Sequence, residues 1–211
     1  MVDLARRTMD VAGAVAGLIL FGPVMAAITL LVRLDSPGPV FFRQNRVGRH
    51  GRVFRLIKFR TMRTDCDPYG FSPNAADDPR VTRTGRFLRK TSLDELPQLF
   101  NVLQGEMTLV GPRPLLPWQY ELWTPRQRRR CDVKPGLTGW AQIRGRGAVT
   151  HEDKIELDLW YIERRSLWLD LRIIAETAVK VFRRQDVFEV QYSRASSPPK
   201  AHPSDSTAGT T

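Results

Sequence analysis

The chain has few cysteines and histidines, and neither residue type occurs at the spacing of metal ligands. Its 211 residues include two cysteines, Cys66 and Cys131, and three scattered histidines. The cysteines form no CxxC pair, so the sequence predicts neither a disulfide framework nor a structural zinc site, and it fits a reducing compartment. The sequence also lacks zinc-finger, RRM and KH signatures, which argues against nucleic acid as the partner of this basic protein.

Acidic residues are scarce in one stretch of the chain. The formal net charge is +11, and between Arg33 and Arg63 there are nine lysines and arginines but a single acid, Asp35. Such a block favours a polyanionic partner, which is nucleic acid, an anionic membrane surface or a phosphorylated substrate. Because the block follows an apolar segment, we interpret it first as attraction to anionic membrane lipid, worth about 1 kcal/mol per basic residue.

A long apolar run occurs once, at residues 11–32, and it contains no charge. At about 1.5 Å per residue it is long enough to cross the hydrocarbon core of a bilayer. A signal peptide is a weaker interpretation, because no small-residue cleavage site follows. Gly22 and Pro23 lie at the middle, where proline bends a helix, and basic residues flank both ends. A helix that dips into one leaflet and returns satisfies both facts, but the residues alone leave re-entrant and spanning paths equally open. Either path places the globular part on the cytoplasmic side.

The remaining segments predict a mixture of helices and short strands. Strand-like sequence occurs at residues 40–42 and 53–59, a helix is expected to start after Thr82 or Thr84, and Gly105 is a natural helix end. Further predictions are a loop at 65–80, a basic helix start at 124–130, a strand at 140–144, helices at 152–164 and 166–184, and a low-complexity tail from residue 193. The last helix has a broad apolar face that suits either the core or a membrane interface.

Two adjacent carboxylates, Asp94 and Glu95, stand before a short apolar helix. Two acids in so basic a frame indicate a site that handles an anion and that offers ligands to a metal. The basic residues around the pair are Arg86, Arg89 and Lys90 before it and Arg113 after it.

The simplest alternative for this pair is a helix cap, in which Ser92 and Glu95 form a capping box. That register would place Pro97 inside the helix, where proline costs a hydrogen bond. A helix that starts near Leu96 keeps Pro97 in the first turn and puts both acids just before the first free N–H groups, which accept anions. We therefore prefer the second register.

Four motifs, in order, resemble those of a known family. They are KFRTM at residues 58–62, SLDELPQL at 92–99, LVGPRP at 109–114 and KPGLTGWAQ at 134–142. Together they resemble the bacterial sugar transferases, which are monotopic phosphoglycosyl transferases, over residues 3–187. The chain departs from the usual pattern at Gly22, where serine often precedes the proline, and at Arg144, where asparagine is usual.

The resemblance implies the fold class, which is α+β and mainly helical. A re-entrant N-terminal membrane helix is expected in residues 1–34, with its break at Gly22 and Pro23. A compact cytoplasmic catalytic domain with amphipathic interfacial helices and a few short strands follows in residues 35–190, and residues 191–211 are expected to form a disordered tail. The chain is expected to be the minimal catalytic form, located at the cytoplasmic face of the bacterial inner membrane.

The resemblance also implies a reaction and its partners. The family moves a sugar-1-phosphate from a UDP-sugar to an undecaprenyl-type polyprenyl phosphate and releases UMP, through a covalent aspartyl-phosphosugar intermediate. This step initiates the assembly of exopolysaccharide, capsule, O-antigen or glycoprotein glycans. The expected partners are the UDP-sugar, the polyprenyl phosphate and anionic membrane lipid, whereas downstream glycosyltransferases and a homodimer are left open. The sugar itself is not readable from any motif.

The family's site residues carry over to matching positions of this sequence. The matched positions are Asp94 for the nucleophile, Glu95 for the ligand of Mg²⁺, and Lys58, Arg60 and Arg113 for basic residues that hold phosphate or position the acids. The basic frame itself adds Arg86 and Arg89 as further phosphate contacts. Two other hypotheses remain: a non-enzymatic membrane adaptor, and an enzyme in which the lipid phosphate attacks the UDP-sugar directly.

Overall fold

The computed structural model describes residues 2–66, 78–145 and 150–182, and within them the protein is mainly helical, as predicted. The helices are α1 (Val2–Asp35), α2 (Arg83–Thr91), α3 (Gln98–Gln104), α4 (Pro117–Glu121), α5 (Pro125–Arg128), α6 (Trp140–Arg144), α7 (His151–Arg164) and α8 (Leu167–Phe182). The strands are β1 (Phe41–Val47), β2 (Val53–Phe59), β3 (Thr108–Val110) and β4 (Gly136–Thr138). Strands β1 and β2 form an antiparallel hairpin, and β3 pairs with β4 in parallel. The predicted tail and the centre of the predicted 65–80 loop lie outside the described residues.

Helix α1 packs one face against the globular body along most of its length. Ala14, Ile28 and Val32 on that face are at most 3% exposed. Gly13 permits a close approach to the end of β3, because a Cβ at this position would lie 2.6 Å from Cδ1 of Leu109. The other side of the helix is apolar and open, and its most exposed residues are Leu4, Ile19, Leu20 and Leu34.

The sequence of α1 has the properties expected of a membrane segment. Among the described helices it is the one long and apolar enough to cross a bilayer, which is weak evidence of membrane association. Helical secondary structure continues through Gly22 and Pro23 without interruption. The re-entrant path of this helix stays a prediction.

Polar contacts attach the N-terminal turns of α1 to three other elements. Arg6 forms a buried ion pair with Asp170 of α8, with Nε 2.9 Å from Oδ2. Arg7 donates to two carbonyls in the last turn of α3 at 2.6 and 2.7 Å. Asp10 accepts hydrogen bonds from the Thr108 hydroxyl and from the following amide of β3 at 2.8 Å. This end of the helix is therefore fixed on the body.

Local sequence signals place the elements that carry the site. The Thr82 side chain caps α2 by accepting from the Gly85 amide, which selects the first of the two predicted starts. Gly105 ends α3 in a left-handed conformation with φ of 81°, as predicted. Strand β1 is longer than predicted and runs to Val47, so the hairpin turn is short.

The predicted strand at residues 140–144 is wrong, because this segment is helix α6. The amide of Ile143 donates to the carbonyl of Gly139 at 3.1 Å, and the amide of Ala141 donates to the Asp158 carboxylate. The parallel strand lies earlier, in β4, and it is short because its partner β3 ends at Val110. A Cβ on Gly139 would lie 2.1 Å from the carbonyl oxygen of Gly111, so the chain needs a glycine where it leaves the sheet.

Candidate active site

The acid pair lies on a short 3-10 turn, Leu93–Glu95, between α2 and α3. Ser92 precedes it in a left-handed conformation, with φ of 57°, and its side chain makes no cap. The alternative capping box with Glu95 is therefore not formed, and α3 begins at Gln98, two residues after the start that we preferred. Pro97 occupies the N-cap position of α3 and therefore lies just before its first turn.

One detail of that register is corrected. The first amides after the acids were expected to be free for an anion, but the amide of Leu96 donates to the carbonyl of Leu93 at 3.3 Å, and the amide of Glu95 donates to that of Ser92 at the same distance. These two amides form the hydrogen bonds of the 3-10 turn and are therefore not free to bind an anion. The positive charges of Lys58, Arg89 and Arg113 also act at this turn.

Asp94 is buried, with 7% of its surface exposed. Burial raises the pKa of this carboxyl, the neighbouring Glu95 charge raises it further, and the positive charges of Lys58, Arg89 and Arg113 lower it again, so that it lies at about 6. A carboxylate whose charge is disfavoured by burial, but balanced by three cations, is ionised and poorly hydrated near neutral pH. That state suits a nucleophile.

Lys58 lies near the end of β2, with its Nζ atom 5.3 Å from the centre of the Phe42 ring. Burial lowers the pKa of its ammonium group to about 8, against the opposing effect of the Asp94 charge. Arg89 and Arg46 lower the pKa further through their positive charges. At neutral pH the lysine is therefore protonated and lies in a cluster of like charges that favours an anionic ligand.

Arg113 and Glu95 form an ion pair, with Nη2 of the arginine 3.0 Å from Oε1 of the carboxylate. The two side chains are 46% and 22% exposed, so both also reach solvent. Arg113 comes from the irregular segment between β3 and α4. Residues far apart in the sequence are thus brought together, as the resemblance implied for this arginine.

Arg60 is placed differently from its predicted role. The residue is 4% exposed, and its guanidinium donates to the carbonyls of Ser36, at 2.7 Å, and Pro37. It therefore fastens the exit of α1 to the end of β2. This position does not support the prediction that Arg60 holds phosphate, because its guanidinium already donates hydrogen bonds to backbone carbonyls.

The two arginines predicted on α2 are separated by their surroundings. Arg89 donates to the Thr61 hydroxyl at 2.9 Å, and its charge acts on both Asp94 and Lys58. Arg86, one turn earlier, is exposed. The structure thus brings Arg89 to the acid pair and leaves Arg86 on the surface.

Arg46 is a member of this charged cluster that the sequence analysis missed. Its Nη1 donates to the Pro114 carbonyl at 3.2 Å, and its Nη2 donates to the Gln44 side chain at 2.7 Å. The signal was present in the hairpin register, where Phe42 is opposite Lys58 and Arg46 lies four residues further along the same strand. Residues two or four apart on a strand share a face, so Arg46 and Lys58 share one.

The acid pair also bears on metal binding. In the described part of the chain, no group of three or more histidine, cysteine, aspartate or glutamate side chains is arranged to hold a metal. Mg²⁺ does not require such a cage, because it commonly binds one or two carboxylates together with water and substrate phosphates. The partly exposed Glu95 carboxylate beside Asp94 fits that mode of binding.

The chain is similar in sequence to known proteins over most of its length. A family model described as bacterial sugar transferase matches residues 1–184. The chain is 45% identical to the uncharacterized sugar transferase EpsL of Bacillus subtilis over 192 residues, which cover 91% of this chain and 94% of that protein. It is 47% identical over 195 residues to a UDP-glucose:undecaprenyl-phosphate glucose-1-phosphate transferase of Xanthomonas campestris, covering 88% of this chain but 40% of the relative. A protein of the same name from Caulobacter vibrioides is 42% identical over 89% of this chain and 73% of its own length.

Proposed function

The chain belongs to the bacterial sugar transferase family, and on that premise we propose that it transfers a sugar-1-phosphate from a UDP-sugar to a polyprenyl phosphate of the undecaprenyl type. It is an enzyme of the sugar phosphotransferase kind, as the names of its relatives state for those proteins. The observation that carries the proposal is the buried Asp94 carboxylate held among Lys58, Arg89 and Arg113. This arrangement joins a nucleophile to cations that attract a diphosphate.

In the first step we propose that an Asp94 carboxylate oxygen attacks the sugar-bearing phosphorus of the UDP-sugar. A bond forms between this oxygen and phosphorus, and the bond from phosphorus to the bridging oxygen breaks, so that UMP leaves with the bonding electrons. Covalent catalysis of this kind divides one difficult displacement into two easier ones. The product of the step is a phosphosugar on Asp94.

In the second step an oxygen of the polyprenyl phosphate attacks the same phosphorus. The bond to the Asp94 oxygen breaks, the carboxylate is restored, and a polyprenyl diphosphate sugar is released. Lys58 and Arg113 stabilise the charge on the phosphoryl oxygens in both steps, and the arginine does so with a fork that matches phosphate geometry. Bound Mg²⁺, held by Glu95 and phosphate oxygens, would supply further positive charge for the diphosphate and the leaving UMP.

The burial pattern of α1 supports a re-entrant path of this helix in the membrane. Its body-facing residues include Ala14 and Leu18 before section 19–24 and Met25 and Ile28 after it, whereas most of that section is exposed. Gly22 and Pro23 lie in that section. Because both flanking parts contact the same globular body, both ends of the helix belong on one side of a bilayer. We infer that section 19–24 enters one leaflet of the bacterial inner membrane, with the body on its cytoplasmic face.

Helix α8 offers a second apolar surface that supports contact with the membrane interface. Trp168, Leu171 and Val179 are 77%, 50% and 49% exposed and recur at helical spacing along one side. A tryptophan at the edge of an apolar face is typical of residues at the headgroup level. We therefore assign this side of α8 to the interface.

The proposal is tested by UMP release from a panel of UDP-sugars with undecaprenyl phosphate in membrane-mimetic vesicles. At least one UDP-sugar should be turned over, and Asp94→Asn should abolish the activity, whereas the exposed Asp132→Asn serves as the matched control. Labelled UDP-sugar alone should leave a phosphosugar on wild-type protein but not on Asp94→Asn. Turnover without any labelled protein would instead support direct attack by the lipid phosphate. Binding to vesicles without turnover of any UDP-sugar would support the adaptor hypothesis.

A further inference from the structure

Arg113 reaches the acid pair from a segment that has no regular secondary structure. Hydrogen bonds to its carbonyls from other parts of the chain therefore determine its path. The Gly136 amide donates to the carbonyl of Pro112 at 2.9 Å. Further along, Arg46 holds the Pro114 carbonyl, as described above. The backbone that presents the guanidinium is thus fastened on both sides of it.

The carbonyl of Arg113 itself is held by a buried arginine on the opposite side of the segment. Arg130 is 6% exposed, and its Nη2 donates to this carbonyl at 3.1 Å. Its Nε atom forms an ion pair with Asp158 of α7, which is 1% exposed, and its guanidinium lies 5.3 Å from the ring centre of Trp123. One planar guanidinium therefore connects α7 to the residue that pairs with Glu95.

Packing supports the segment only in part on this side. A small hollow lies behind it, lined by Val47, Pro112, Pro114, Arg130, Cys131 and Pro135. Apolar contacts are incomplete where a hollow remains, so a directional polar contact has a larger share in fixing the backbone. Asp158 also accepts from the amide of Ala141 in α6, which makes the carboxylate a junction between α6, α7 and Arg130.

A buried ion pair of this kind is not explained by stability alone. Replacing such a pair by apolar residues is often neutral or stabilising, because the cost of removing both charges from water offsets their attraction. The same two helical regions are already joined at the surface by Arg126 and Glu156, with an N–O distance of 2.6 Å. What distinguishes Arg130 is its second hydrogen bond, to the backbone of Arg113.

We propose that Arg130 and Asp158 are positioning residues for the phosphoryl-transfer site, acting through the backbone of Arg113. This inference rests on the proposed function. Asp158 orients the Arg130 guanidinium, Arg130 holds the Arg113 carbonyl, and the Arg113 side chain is thereby kept beside Glu95 and the phosphate that it stabilises. Neither Arg130 nor Asp158 touches the reacting atoms.

The test uses Arg130→Lys, which keeps a positive charge for Asp158 but loses the planar fork that reaches the Arg113 carbonyl. We expect kcat for UMP release to fall on the order of ten- to hundredfold, as for other groups that orient site residues, with a much smaller change in the KM for polyprenyl phosphate. The melting temperature should stay near that of the wild type, because the buried charge keeps its partner. The matched control is Arg126→Lys, for which no loss of activity is expected. The double variant Arg130→Met/Asp158→Leu, which removes both buried charges together, should lose activity to the same extent while remaining folded.

A double-mutant cycle then separates positioning from general support of the fold. If Arg130 acts through Arg113, adding Arg130→Lys to Arg113→Lys should cost less than about threefold, because the fork at position 113 is already lost. Two full losses that multiply would overturn the proposal, as would an Arg130→Lys enzyme with normal kcat. A wild-type enzyme that turns over no UDP-sugar would instead contradict the proposed function, so the two failures are distinguishable.

Discussion

The opposing pKa shifts of Asp94 and Lys58 predict a bell-shaped pH dependence of the first half-reaction. In the proposed mechanism the active form needs an ionised Asp94 and a protonated Lys58, and burial brings their pKa values to about 6 and about 8. Acidification below 6 protonates the nucleophile, and alkalinity above 8 removes the charge of the lysine. With these values the active fraction is about 0.8 at pH 7 and about 0.1 at pH 5 and pH 9, so kcat/KM should fall about ninefold on each side.

The measurement is kcat/KM for the UDP-sugar, followed by UMP release. In a two-step mechanism this constant reports the free enzyme and does not include the ionisation of the lipid phosphate. Lys58→Arg supplies the control, because arginine keeps its charge at all these pH values. This variant should lose the alkaline limb and keep an acid limb near that of the wild type. An alkaline limb that persists in Lys58→Arg, or an activity that does not change between pH 5 and 7, would refute the assigned protonation states.

Three further predictions follow from single contacts. Asp94→Asn should remove UMP release without lowering the melting temperature, because the amide fills the same space and no longer needs a buried charge. Arg60→Met should destabilise the protein by about 1–3 kcal/mol, measured by thermal or chemical unfolding, because it removes the charge-assisted hydrogen bonds to the carbonyls of Ser36 and Pro37 at the exit of α1. The exposed Arg86→Met should leave both stability and KM for the UDP-sugar nearly unchanged. A loss of UDP-sugar affinity in Arg86→Met would restore that residue to the site. Gly13→Val should weaken the docking of α1 on the body and lower the melting temperature, because the new Cβ would lie 2.6 Å from Cδ1 of Leu109. An unchanged melting temperature would show that the Leu109 side chain moves aside without cost.

Much of the architecture was accessible from the sequence, where local signals agree with the tertiary structure. Thr82 and Gly105 fix the ends of α2 and α3 by caps that need no distant partner. The long apolar segment predicted α1, and the strand-like sequence at residues 40–42 and 53–59 predicted part of β1 and all of β2. The strand predicted at residues 140–144 was wrong because the choice depended on non-local facts: β3 offers a partner only as far as Val110, and a distant carboxylate accepts from the first turn of α6.

The same contrast between local and non-local signals applies to the residues of the site. Asp94 and Glu95 could be predicted as site residues because two adjacent acids in a basic frame, within four ordered motifs, form a signal that is local in the chain. Arg60 was assigned to the site because the resemblance matches it to a basic residue of the family that holds phosphate or positions the acids. The strand ends at Phe59, however, and the side chain of Arg60 turns to the carbonyls at the exit of α1.

The sequence by itself therefore determined the residues on which the proposed chemistry depends: the acid pair, the basic residues proposed to attract a diphosphate, and the apolar segment proposed to bring the site to a membrane. The tertiary structure alone decided which cations share the site. Arg46 and Arg89 join Lys58 and Arg113 there, Arg60 fastens a helix, and Arg130 holds the backbone of Arg113 from behind. The physical reason is that a guanidinium binds any carboxylate, phosphate or carbonyl with similar geometry, so its role depends on which acceptor the fold places within about 3 Å of it.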